Sequence, residues 1–179
     1  PSSLVPTASN GRRLIIIGDI HGMSKPLSDL LAKTSYNANS DHIIAAGDMI
    51  NKGPHSSAVV RQLMRLNASA VRGNHEDKVL EALSSHRAGR KATKKFLKTG
   101  KQLTPKQVAW LAERPVILAI DQLAMHVVHA GLVPGVEPLK QDPWAVMNMR
   151  SLVYSRQELR RRRNSDAEPT WEDGEERDD

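Results

Sequence analysis

A chain of 179 residues with a net charge of +6 has room for one α/β domain around a single core, and not for two full domains. It contains no cysteine, which excludes disulfides and thiolate metal sites, and aromatic residues make up only 3%, so the core must be built from Ile, Leu, Val, Ala and Met. No apolar run approaches the roughly 20 residues of a membrane span, nothing resembles a signal peptide, and the positive balance points to an anionic partner.

Residues 1–11 are polar and form a lead-in. Residues 12–17 place a short apolar run after two cations, the pattern of a buried strand, and this run stops at Gly18-Asp19-Ile20-His21-Gly22. Ser24 is a candidate N-cap for a helix over residues 26–33, where Leu27, Leu30 and Leu31 recur at helical spacing. A polar turn at 37–41 leads to a second strand at 42–46, which ends in Gly47-Asp48. Val59, Val60, Leu63 and Leu66 predict a helix over 56–66. A third strand at 68–71 ends in Arg72-Gly73-Asn74-His75-Glu76, and residues 78–83 are again helical in pattern. Strand and helix alternating three times predict an α/β sheet with parallel neighbours. Such sheets bind ligands beyond the carboxyl ends of their strands. Further on, Thr104-Pro105 opens a short helix. Residues 115–120 and 123–129 form a hairpin around Asp121-Gln122, which closes on Val128-His129-Ala130-Gly131. Residues 12–150 are read as one domain. Residues 151–179, with four consecutive arginines from Arg160 and then an acidic run, are read as a charged, mobile loop or tail.

The polar residues at the strand ends are Asp19, His21, Asp48, Asn74, His75 and His129. A lone Gly-Asp is ordinarily a turn, and a lone histidine on an apolar strand is ordinarily a satisfied core residue. Four such segments together supply a mixed oxygen and nitrogen set suited to Zn, Mn, Fe or Co. In an extended chain, side chains two apart share a side, so Asp19 and His21 are expected to grip one metal. Asp48, from a neighbouring strand about 4.8 Å away, is placed to bridge to a second metal about 3.5–4 Å from the first. Asn74 and His129 then belong to that second ion. His75 points differently from Asn74 and is the candidate general acid, and water activated by the two ions is the expected nucleophile.

The four blocks, with Gly47-Asp48-Met49-Ile50-Asn51-Lys52-Gly53-Pro54 as the second, resemble those of the calcineurin-like metallophosphoesterase superfamily over residues 14 to 134. The resemblance implies a β-sandwich-like core flanked by helices, with a dinuclear metal site at the strand ends. By similarity, Asp19, His21 and Asp48 bind one metal, Asp48, Asn74 and His129 bind the other, and His75 and Asp48 carry the catalysis. Lys52 and Arg72 are the expected phosphate contacts, with Lys52 a point charge where an arginine fork is usual. The family adds a final histidine ligand from a downstream Gly-His block, whereas no histidine follows His129 here. Either the chain ends inside its domain or the second metal site is one ligand short, and the acidic close of the sequence favours the first.

The second block looks like that of symmetrical diadenosine tetraphosphatases and of fungal endopolyphosphatases. Asn51-Lys52 counts against a serine/threonine protein phosphatase. Between Glu81 and Glu113 there is no acidic residue, but Arg87, Arg90, Lys91, Lys94, Lys95, Lys98, Lys101 and Lys106 occur there. This stretch is either a solvated helix face or a track for a polyanion. Phe96 is its only Phe or Tyr, which argues against nucleic acid and base stacking. The expected function is therefore hydrolysis of phosphoanhydrides, with inorganic polyphosphate ahead of dinucleoside tetraphosphates. A non-catalytic metal- or phosphate-binding module is the alternative outside enzymes.

Overall fold

The structure is a computed structural model and describes residues 4–7 and 10–152. The expected tail, apart from Ser151 and Leu152, lies outside the described residues.

The chain runs β1 (Arg13–Ile17), α1 (Ser24–Lys33), β2 (Asp41–Ala45), α2 (Ser56–Arg65), β3 (Ser69–Ala70), α3 (Asn74–Arg87), α4 (Lys94–Gly100), α5 (Pro105–Ala112), β4 (Ile117–Ile120), β5 (Met125–Val128) and α6 (Pro143–Asn148). β1, β2 and β3 form a parallel sheet with β2 in the centre. Arg13 pairs with Asp41 at one end and Ile17 with Ala45 at the other, so β1 and β2 finish level. β4 and β5 form a separate antiparallel pair from Ile117↔Val128 to Ile120↔Met125.

β2 is buried along its whole length, and its alternating side chains feed two cores. Ile43 and Ala45 pack with Leu27 and Leu31 of α1 and with Val59, Val60 and Leu63 of α2. Ile44 faces the other way, into a cluster with Val71, Ile120 and Val127. The parallel sheet thus has helices on one face and the hairpin on the other, which is the layered arrangement the motifs implied.

Local chemistry sets the helix starts. The Thr104 hydroxyl accepts a hydrogen bond from the Gln107 amide, and the Gln107 side-chain oxygen accepts one from the Thr104 amide, a capping box with Pro105 in the first turn. Three expectations shift. Met23, not Ser24, caps α1, and Ser24 is its first helical residue. β3 is two residues rather than four. α3 begins at Asn74 rather than at residue 78, because extended Gly73 and the backward reach of Glu76 cap it there. The third motif block therefore lies in the first turn of a helix, not on a strand end.

At the far end of the sheet, Arg13 grips Asp41 through two hydrogen bonds of 2.8 and 2.6 Å, and the Asn37 amide donates a third at 2.8 Å. The Arg13 bond, followed by those from Asn37 and Ser40, holds the Asp41 carboxyl well below the usual carboxylate range. A depressed folded value contributes stability that is fully present above the unfolded pKa of about 3.9 and is lost progressively as pH falls from there through the folded value. Asp41→Asn is expected to lower the melting temperature at pH 7, and the difference should narrow at pH 3 without closing, because the folded carboxyl is still ionised there. Thermal unfolding at both pH values tests this. A constant difference would assign the effect to packing rather than charge.

Candidate metal centre

The loops that follow β1 and β2 are stitched together by their own peptide groups. The Asp48 carbonyl accepts from the amides of Ile20 at 3.0 Å and His21 at 2.8 Å. The Met49 carbonyl accepts from Gly22 at 2.9 Å, and the His21 carbonyl from Gly53 at 2.9 Å. To make these bonds the backbone is left-handed at His21 (φ 45°), Asp48 (48°), Asn51 (69°) and Lys52 (60°). Each such non-glycine residue costs on the order of 1 kcal/mol, which only a cross-braced loop sustains. Asp19 and His21 therefore do not converge by strand alternation, since β1 has already ended at Ile17. A left-handed turn brings them together, with Asp19 Oδ2 3.3 Å from His21 Nε2.

Glu76 braces this junction from below. It is completely buried, and its carboxylate accepts from the amides of Asp48 (2.8 Å), Gly73 (2.9 Å) and Ile50 (3.1 Å). Burial, with the Asp48 charge adding, pushes its carboxyl up to about 8, against the pull of those three donors. A Cβ on Gly73 would collide with the Asp48 amide and carboxylate, and one on Gly47, at φ 90°, would lie 2.7 Å from His129 Nδ1. Both positions must be glycine for the loops to approach so closely.

Asp48 is the centre of the side-chain cluster. Its Oδ2 lies 3.5 Å from His21 Nε2 and 3.8 Å from His75 Nε2, and its Oδ1 lies 3.4 Å from His129 Nε2. Ligand atoms within 4.8 Å of one another form two sets that share Asp48: His21, Asp48 and His75, and Asp19, Asp48 and His129. Two ligands bound at about 2.1 Å to one tetrahedral metal lie about 3.4 Å apart, so these separations suit a shared ion. The histidines agree. His129 Nδ1 is 2.9 Å from the Ala46 carbonyl, and His21 Nδ1 is 3.3 Å from the Ile50 carbonyl. Each Nδ1 donates its proton to a carbonyl, which leaves Nε2 with a lone pair directed at Asp48, the tautomer of a metal ligand. The donor set fits a divalent metal of the Zn, Mn, Fe or Co type.

His75 is held differently. Thr99 Oγ1 donates to Asn51 Oδ1 at 3.0 Å, and the Asn51 amide nitrogen faces His75 Nδ1 at 2.7 Å. Nδ1 must accept, so the proton resides on Nε2 and faces the cluster. Burial holds the imidazole below its ordinary pKa, against the pull of Asp48, with Lys52, His21 and Lys78 adding to the effect. His75 is thus a neutral donor beside two acceptor histidines.

A cavity of about 240 Å³ opens above these groups, lined by Asp19, Asp48, Lys52, Asn74, His75 and His129. Asn74 is therefore brought to the same space. The Lys52 ammonium donates to His21 Nε2 at 2.8 Å. Arg72 is not brought in: its guanidinium turns to Asp77 and to the Ala112 carbonyl at the end of α5. The additional cation lining the cavity is Arg150, which follows α6, and the Ala130 amide bonds to Val146 of that helix at 3.0 Å. The sequence reading assigned no role to Arg150, Glu76, Asn51 or Thr99. Only Glu76 carried a local signal, as the third helical residue after a glycine N-cap.

This layered fold, with carboxylate and imidazole ligands converging from the loops after parallel strands, defines a metallophosphoesterase domain. The sequence matches the calcineurin-like phosphoesterase family over residues 12–179, and the chain belongs to that family. It is 33% identical over 124 residues to the symmetrical bis(5'-nucleosyl)-tetraphosphatase of Hamiltonella defensa, covering 66% of this chain and 44% of the relative. The same-named protein of Buchnera aphidicola is 32% identical over 120 residues, covering 66% and 43%. The chain thus spans less than half the length of these relatives. A crystal structure of a candidate diadenosine tetraphosphatase superposes with a TM-score of 0.72 at 35% identity, covering 83% of this chain and 63% of that one.

Two outcomes are expected. Glu76→Gln turns an amide NH2 toward amide donors and should cost about 1–3 kcal/mol. Denaturant unfolding measures this, and unchanged stability would deny Glu76 its bracing role. Saturating Mn²⁺ or Zn²⁺ should raise the melting temperature, by about 2.7 kcal/mol of stability at 100 times Kd. Chelator should reverse the gain and Asp48→Asn should remove most of it, whereas equal melting with and without chelator contradicts the assignment.

Proposed function

We propose that this chain carries out divalent-metal-dependent hydrolysis of a phosphoric anhydride, with a dinucleoside tetraphosphate, cleaved symmetrically, as its substrate. The observation that carries the reaction class is the convergence of Asp19, His21, Asp48 and His129 with a histidine whose Nε2 proton faces the same space. The substrate follows the names of the relatives, which favour the dinucleoside reading over inorganic polyphosphate.

In this reading Asp19, His21, Asp48, Asn74 and His129 hold up to two metal ions. Bound metal supplies Lewis-acid activation and neutralises phosphate charge. The chain's own residues do the rest. Lys52 and Arg150 draw the anionic chain into the cavity and orient it as point and fork charges. Water oxygen bonds to phosphorus as the bridging P–O bond breaks; one water proton stays on the new phosphoryl group and the other passes to solvent, while the Nε2–H of neutral His75 hydrogen-bonds to the departing oxygen. Asn51 keeps His75 in the donor tautomer and Thr99 keeps Asn51 in place.

Polyphosphate is retained as a second reading on one observation. A lysine-lined cleft lies next to the cavity, and it offers charge without a base-binding face.

Metal-loaded protein should cleave diadenosine tetraphosphate into two nucleoside diphosphates. His75→Asn should lower kcat by about 10²–10⁴ with little change in KM. Nucleotide and phosphate release from diadenosine tetraphosphate and from long-chain polyphosphate, assayed side by side, decide between the readings. Turnover of polyphosphate alone would replace the first with the second, and turnover of neither would remove both.

A further inference from the structure

The basic stretch after Glu81 folds so that part of it meets the metal centre. α4 lies close against α3 because Gly100 has no side chain: a Cβ there would come within 2.7 Å of Leu83. Between α3 and the segment leading into α4 is a cleft of about 260 Å³, lined by Lys78, Glu81 and Ser85 of α3, by Lys91 and Thr93 just before α4 and by Lys95 in its first turn. Its floor is Phe96, which is buried. The Phe96 ring stands edge-on to His75 at 6.0 Å between centroids, and Lys95 Nζ lies 4.9 Å from the centre of the same ring. One aromatic side chain thus forms the wall between the cleft and the cavity that holds His75.

The charge in this cleft is not balanced by its surroundings. Among the described residues, none of Lys78, Lys91 and Lys95 has a carboxylate within ion-pair distance, and the one acidic residue in the lining is Glu81. A merely solvated face would spread its lysines around a helix. Here three lysines and two hydroxyls from two elements line a single concavity, beside the space where phosphate chemistry is placed. Converging like charges repel, and an anion relieves that repulsion. Phe96 is covered by Lys95, so the cleft has no open face on which a base would stack.

We propose that the α3–α4 cleft is a phosphate subsite, in which Lys78, Lys91 and Lys95 hold a phosphoryl group of the substrate chain beyond the one at the metal ligands. This rests on the phosphoanhydride reading above and deepens it. The ligand class is a linear chain of phosphates, whether the bridge of a dinucleoside polyphosphate or inorganic polyphosphate.

The test uses the full chain and two double variants. Lys91→Ala/Lys95→Ala removes two charges from the cleft, and Lys98→Ala/Lys101→Ala removes the same charge from α4 outside it. Calorimetric titration with tripolyphosphate should show binding weakened by about tenfold in the first and less than about twofold in the second. Equal weakening in both, no weakening in either, or no binding by the native chain overturns the subsite. This binding result stands even if the protein hydrolyses nothing, which would remove the proposed function alone. With metal-loaded protein, the first variant should raise KM for a phosphate chain at least about fivefold more than KM for p-nitrophenyl phosphate. A rise confined to diadenosine tetraphosphate, or to polyphosphate, identifies the chain that reaches the cleft. No rise for either overturns the proposal.

Discussion

The peptide group of Asp48 ties the site together. Its carbonyl receives the amides of Ile20 and His21 from the first loop, and its own amide is held by Glu76 from the third. Its side chain in turn accepts the His75 amide at 3.0 Å. Three loops that are distant in sequence are thereby fixed to one residue in a left-handed conformation. The layered core exists around this junction: β2 is buried on both faces, so the loop it delivers starts from the central, fully buried strand of the sheet. The Gly47 and Gly73 contacts leave no room for slack.

The electrostatics follow from that closeness. Asp19 and Asp48 are gathered where a metal would neutralise them, and Lys52 and Arg150 border the same space. The three histidines are sorted by their second nitrogen. Backbone carbonyls turn His21 and His129 into acceptors, and a side-chain amide turns His75 into a donor. Ligand and acid are thus distinguished by what lies behind each ring rather than by distance to the cluster, which is similar for all three.

Much of this was legible in the sequence. The four Gly-flanked blocks located Asp19, His21, Asp48, Asn74, His75 and His129, and the structure gathers all six into one space. The strand segments, the helix start at Thr104-Pro105 and the hairpin around Asp121 were readable because each depends on residues a few positions apart. What was not readable depends on distant partners. Thr99 reaches Asn51 across 48 positions. Arg72 sits inside a motif block, yet the Ala112 carbonyl draws it away from the cavity, while Arg150 is delivered by the turn after α6. Asp19 and His21 meet at 3.3 Å through a left-handed turn rather than through strand alternation, because cross-loop hydrogen bonds override alternation at that point.

The braces of the central loop act mainly on peptide groups, and Glu76 spends its whole carboxylate on amides. The placement of each ligand is therefore separable from its chemical identity. A ligand side chain exchanged for another of similar size would leave the loop from the same backbone position. Most of the bonds that hold that backbone do not pass through the side chain, although His21, His129 and Asp48 each add one that does. The architecture works as a socket whose contacts can be rewired one at a time, and metal preference can drift by single substitutions without rebuilding the loops.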